Sequence, residues 1–208
     1  MHTLDLILTE SAKRHKHLCP RQVLGARMGL FAAELLGIEL PRNDKHLLVI
    51  SETDGCAVDG LIAATGCHVG SRTLRILDFG KVAATFVDTY TEETIRIVPR
   101  QEAQLIATDH TPAKRNKWEA MLFGYQVITA SELFMVQHVQ LNKPLSQIIS
   151  RPGMKTICDM CREEIINGRE VINNSVILCR ACAGESYYHC SLPAWTIAKQ
   201  NDISDKVR

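Results

Sequence analysis

Leu4, Ile7, Leu8 and Ala12 recur at helical spacing, so the chain opens on an amphipathic helix that runs to about Arg14. The run His15-Lys16-His17-Leu18-Cys19-Pro20 interrupts it, and Pro20 suits the first turn of a second helix. In that helix Leu24, Met28, Phe31, Ala32 and Leu35 share one stripe, and Gly37 is the stop. Gly25 and Gly29 lie on one side of it, which predicts close backbone approach by another element or by a second copy of the chain. The apolar run at 47–50 reads as a buried strand. A helix over 56–65 follows, with Asp54 as its N-cap and Gly66 as its stop. Residues 74–77, the turn Asp78-Phe79-Gly80-Lys81 and the alternating 82–87 predict a β-hairpin, and 95–98 a third strand closed by Pro99. Trp118, Leu122, Tyr125, Leu133, Val136 and Val139 predict a helical region over 116–140, broken near 129–131.

This order gives an α+β class, with helices packed on a small antiparallel or mixed sheet. Lys143-Pro144 and Arg151-Pro152-Gly153 punctuate a linker. The expected division is a core domain over 1–153 and a small C-terminal domain over 154–208.

The 208 residues carry 24 Lys and Arg against 23 Asp and Glu, a net charge of +1, and 46% are hydrophobic. That excludes a disordered polyelectrolyte and argues against a protein that coats nucleic acid. No apolar stretch approaches the ~20 residues of a membrane-spanning helix. Asp5 and Glu10 break the first apolar stretch, so it does not read as a secretory signal, and a cytoplasmic location is expected. There, eight cysteines point to metal ligands, reactive thiols or core filler before a disulfide framework.

Cys158-Asp159-Met160-Cys161 and Cys179-Arg180-Ala181-Cys182 are two Cys-x-x-Cys pairs at a separation suited to one tetrahedral zinc ion. An all-thiolate site has no open position and is structural. The alternative is two redox or buried pairs that bind nothing. Asn167-Gly168 between two apolar pairs predicts a small hairpin, and the second Cys pair should open a short helix, giving a treble-clef-like finger. Between Lys155 and Cys182 four basic residues meet four acidic ones. That balance favours protein contact or packing over nucleic acid.

His15, His17 and Cys19 alternate, so an extended segment would aim all three to one side, toward zinc or another late transition metal. The alternative is a polar helix end with a buried cysteine. The N-terminus of the second helix would stabilise a thiolate at Cys19, and Lys13, Arg14, Lys16 and Arg21 add positive charge. Cys56, placed in a first helical turn behind Asp54, has the same advantage.

The segments 15–20, Leu24-Gly25-Ala26-Arg27-Met28-Gly29 and Glu34-Leu35-Leu36-Gly37 resemble the start of the FmdE family, which is named for a component of formylmethanofuran dehydrogenase. Glu52-Thr53-Asp54-Gly55-Cys56-Ala57-Val58-Asp59, Thr65-Gly66-Cys67 and Asp78-Phe79-Gly80-Lys81 continue the resemblance in order, over about half of the chain. It implies an α+β core, a homodimer, and a cleft built around His17, Cys19 and Cys56. It also implies a link to C1 metabolism, since the family takes its name from an enzyme that interconverts CO2 and formylmethanofuran.

The expectation is then a metal-binding FmdE-like protein of unassigned reaction. Cys158, Cys161, Cys179 and Cys182 hold a structural zinc. His17, Cys19 and Cys56, with His15, form a second site for a transition metal or for thiol chemistry. Cys19, Cys56 and Asp54 are the candidate catalytic groups, with Asp59 a further acid, base or supporting carboxylate. The rival expectation is a non-catalytic regulatory or assembly module that uses the finger for protein contacts.

Overall fold

Apolar spacing and end signals set the first two helices. α1 (Leu4–Arg14) buries Ile7 and Leu8, and α2 (Pro20–Leu36) ends at Gly37, whose φ of 63° turns the chain away. The computed structural model describes residues 3–15, 17–111, 116–149 and 151–189. The chain divides into two compact units, 1–149 and 150–208.

In the first unit the elements continue as β1 (Leu47–Ser51), α3 (Ala57–Thr65), β2 (Leu74–Ile76), β3 (Ala84–Asp88) and β4 (Thr94–Pro99). α4 (Ala103–Asp109), α5 (Lys117–Val127), α6 (Ala130–Leu133), β5 (Phe134–His138) and α7 (Leu145–Ile148) complete it. The strands form one mixed sheet in the order β2-β1-β3-β4-β5, with β1 and β2 parallel and the other pairs antiparallel. One face carries Val49, Phe86, Ile95, Ile97 and Phe134 into the main core with Met28 and Leu61 from the helices. The other face buries Leu48, Ile50 and Val87 beneath Leu145.

Two expectations about this unit change. The segments 74–77 and 82–87 are strands but not a hairpin, because β1 lies between them: Val49 is level with Leu74 on one side and Phe86 on the other. All five β1 residues are buried, so β1 needs a neighbour on each edge. The intervening loop is held on the end of β1, where the amides of Phe79 and Lys81 both donate to the Glu52 carbonyl. The region 116–140 is not helical throughout. α5 stops at Val127, α6 is one turn closed by a Thr129–Glu132 capping box, and β5 then joins the sheet edge beside β4. Phe134 is buried and Met135 and Gln137 are exposed, the period of two that the helical reading of Leu133 and Val136 hid.

Gly25 and Gly60 let α2 and α3 touch backbone to backbone. A Cβ at Gly25 would sit 2.0 Å from the Ala57 carbonyl oxygen, and one at Gly60 2.1 Å from that of Gln22. The close approach read from Gly25 is therefore to another element of the same chain.

The second unit holds two antiparallel ribbons, β6 (Lys155–Ile157) with β7 (Glu164–Ile166) and β8 (Val171–Asn173) with β9 (Val176–Leu178). A last helical turn spans Ala181–Glu185. Asn167-Gly168 does not close the hairpin expected there. Both have positive φ, but they lead from the first ribbon to the second, and the Asn167 amide donates to the Met154 carbonyl. The hairpin turn is Asn174-Ser175, with φ of 47° and 68°, the backbone of a type I′ turn without its usual glycine. Ribbon, hairpin and helical turn make the treble-clef-like arrangement. Residues 190–208 lie outside the described residues.

Candidate metal centre and core thiol site

The first ribbon turns tightly at 158–162, with Arg162 at φ 66° and its amide on the Cys158 carbonyl. The second Cys pair starts the last helical turn. Together they bring the sulfurs of Cys158, Cys161, Cys179 and Cys182 within 4.8 Å of one another. The Cys161 and Cys179 sulfurs are 3.9 Å apart, close to the ~3.8 Å that a tetrahedral zinc with ~2.3 Å bonds imposes. Backbone amides aim at the sulfurs, Cys179 N–H at Cys158 (3.3 Å) and Cys182 N–H at Cys179 (3.4 Å). The amides of Cys161 and Cys179 pull the Cys158 thiol down to about 6, whereas the hydrogen bond to Cys179 pushes Cys182 up to about 12. One thiolate forms readily and the next is opposed by its neighbours. A bound cation is what lets all four ionise together, so the donor set fits a metal ion.

The core site forms where α2 and α3 begin. Cys19 is the N-cap of α2 and Cys56 the N-cap of α3. Cys56 thus precedes the helix and does not lie in its first turn. Asp54 does not cap α3 and is exposed in the preceding loop, where the Thr53 hydroxyl accepts the Gly55 amide instead. His15 ends α1, and the His17 amide donates back to its carbonyl (2.6 Å). The segment is therefore turned, not extended, and the two imidazole rings lie 5.3 Å apart.

His15 Nε2 lies 3.2 Å from Cys56 Sγ, and its Nδ1 faces Asp59 Oδ2 at 3.7 Å. The Cys19 and Cys56 thiols hydrogen-bond each other. Burial pushes the Cys19 thiol up, and the neighbouring Cys56 adds to this, so desolvation outweighs the helix N-terminus expected to stabilise a thiolate there. The expected basic surround is partly spent, because Lys13 and Arg14 both pair with Glu10. Lys16 lies outside the described residues. An open groove of about 520 Å³ lined by Asp5, Leu8, Ala12 and Leu18 includes none of the candidate site residues.

Gln22 holds this segment in place and carries no local signal in the sequence. Fully buried, it accepts the Cys19 amide (2.8 Å) and donates to the Ser11 carbonyl and hydroxyl (3.0 Å each). Glu52 is also long-range: its carboxylate is held by Arg96 from β4, at 2.5 and 2.7 Å. Cys67 is buried core filler whose thiol donates to the Leu47 carbonyl.

A family model described as "FmdE, Molybdenum formylmethanofuran dehydrogenase operon" matches residues 14–135, which include every core candidate and none of the four C-terminal cysteines. A protein of Archaeoglobus fulgidus described as a probable S-adenosyl-L-methionine-binding protein is 35% identical over 102 residues, 48% of this chain. The match covers 28% of that relative, so the chain spans less than a third of its length. The crystal structure of an FmdE-like protein of tungsten formylmethanofuran dehydrogenase, from Syntrophus aciditrophicus, superposes with a TM-score of 0.57 at 23% identity. That match covers 90% of this chain and 96% of the other, and it shows a shared fold.

Proposed function

The chain belongs to the FmdE family, and from that membership we propose that it is an accessory metal protein of C1 metabolism with two ion sites. Cys158, Cys161, Cys179 and Cys182 hold a structural zinc. Cys19, Cys56 and His15, with His17, hold a second transition ion at the starts of α2 and α3. The observation that carries the second site is the orientation of His15. One ring nitrogen faces a cysteine sulfur and the other faces a carboxylate, as in carboxylate–histidine–metal arrays. An N···S separation of 3.2 Å is near the ~3.5 Å expected between two ligands of one tetrahedral zinc. Such an ion, with a position left open, supplies Lewis-acid polarisation of a water or carbonyl oxygen. Of the two carboxylates weighed for this site, Asp59 is the one beside it.

The experiment is metal analysis of the full chain purified without added metal and then loaded with zinc. Two ions per chain are expected, falling to one in Cys56→Ala and to one in the Cys158→Ser, Cys161→Ser double variant. A single ion that survives Cys56→Ala removes the second site.

A further inference from the structure

The two core cysteines are more than two ligands that happen to be near. Each occupies the N-cap of a helix, and those helices are locked together by backbone contact at Gly25 and Gly60. The lock fixes the two thiols side by side in hydrogen-bonding contact, both unoxidised. Their surroundings differ. Cys56 is half-buried and open to a small reagent, whereas Cys19 is 8% exposed and lies behind it. An accessible thiol backed by a buried one is the arrangement of an attacking and a resolving cysteine.

We propose that Cys19 and Cys56 form a reversible dithiol–disulfide couple, and that closing the disulfide expels the ion from the core site. This rests on the second ion site proposed above. The oxidant is a low-molecular-weight disulfide, RSSR. Cys56 Sγ attacks one of its sulfurs, so a Cys56–SR bond forms, the S–S bond of RSSR breaks, and the departing thiolate takes the Cys56 proton as RSH. Cys19 Sγ then attacks the Cys56 sulfur. The Cys19–Cys56 bond forms, the bond to R breaks, and a second RSH leaves with the Cys19 proton. The protein loses two electrons and two protons, and RSSR gains both. A disulfide offers no thiolate, so two of the ligands are withdrawn at once. Cys67 lies outside this chemistry, buried on a backbone carbonyl.

The test treats the full-length chain with oxidised glutathione in two forms, ion-free and cobalt-loaded. Free thiols are then alkylated, peptides mapped by mass spectrometry, and bound cobalt counted. The expected result is a Cys19–Cys56 linked peptide in most ion-free chains and several-fold less in loaded chains. Each linked chain should carry one ion fewer, and dithiothreitol should reverse both changes. Cys56→Ser should give no link and leave Cys19 reduced. No linked peptide in the ion-free chain, or glutathione persisting on Cys56, overturns the couple. The ion reading is scored separately, on the reduced chain. Two ions with no link keeps that reading and sinks the switch. One ion with a link keeps the disulfide and sinks the second ion site.

Discussion

Glu52 ends β1, and its carboxylate takes the Nε and Nη2 donors of Arg96 from two strands away, while Arg96 Nη1 donates to Gln137 at 2.7 Å. The Arg96 guanidinium holds the Glu52 carboxyl below its ordinary value of 4.5. A lowered folded value adds stability that is present above pH 4.5 and lost as pH falls through the folded value. Both side chains are largely but not fully buried. Glu52→Gln is therefore expected to cost about 2–3 kcal/mol at pH 7, below the upper range for breaking a buried pair. Urea unfolding at pH 7 and pH 3 checks it, and the gap to the unaltered chain should shrink at the lower pH. A gap that stays constant would mean the pair does not titrate as described. Glu52 stood in a motif, yet nothing local marks Arg96, 44 residues away, as its partner. Gln22 was hidden for the same reason, since its partner Ser11 is on a different helix. The cysteines and histidines were legible because few residue types bind soft metals. Their mutual geometry was not, because it depends on how two helix starts meet.

α1, α2 and α3 were readable from period and end signals, which are local. Strand partners were not. Alternation marks a strand without naming its neighbour, and so 74–76 and 84–88 read as a hairpin until β1 was found between them. The α2–α3 contact was half legible. Gly25 announced a close approach, and only the fold shows Gly60 answering it from the opposite helix. A Cβ at Gly60 would lie 2.1 Å from the Gln22 carbonyl oxygen and 2.6 Å from the Ala26 nitrogen, both backbone, so the helices must separate. Gly60→Ala is expected to destabilise the first unit by at least about 1–3 kcal/mol. It should also weaken the core ion site while leaving the Cys158–Cys182 ion in place. Gly70→Ala, where nothing lies within 4 Å and φ is ordinary, should change stability by less than about 0.5 kcal/mol. Chemical unfolding of both variants, with ion counts, separates the two effects. Equal stabilities would mean that the helix contact is not as tight as the backbone distances require.

At the scale of the whole chain the two units differ in what can hold them. The first buries both faces of a five-stranded sheet. Among the described residues of the second, Cys158, Ile165 and Asn167 are the buried ones, and its strands are three residues long. So little apolar burial cannot offset the entropy of ordering the chain, so the four-sulfur cluster has to supply the difference through a bound ion. The Cys-x-x-Cys spacing made that cluster legible. The route of the chain between the pairs was not, because Asn174-Ser175 adopts a turn that sequence rules assign to glycine. Removal of the ion is therefore expected to unfold the second unit and spare the first. Hydrogen exchange on the full chain after treatment with a strong chelator should show amides of 155–178 losing protection while those of β1 and β3 keep theirs. Chelation lowers the free ion far below its dissociation constant and abolishes a stabilisation that acts on the folded second unit alone. Protection that persists at 155–178 in chains verified to be ion-free would show that the ribbons stand without metal, and the structural role of the cluster would fall.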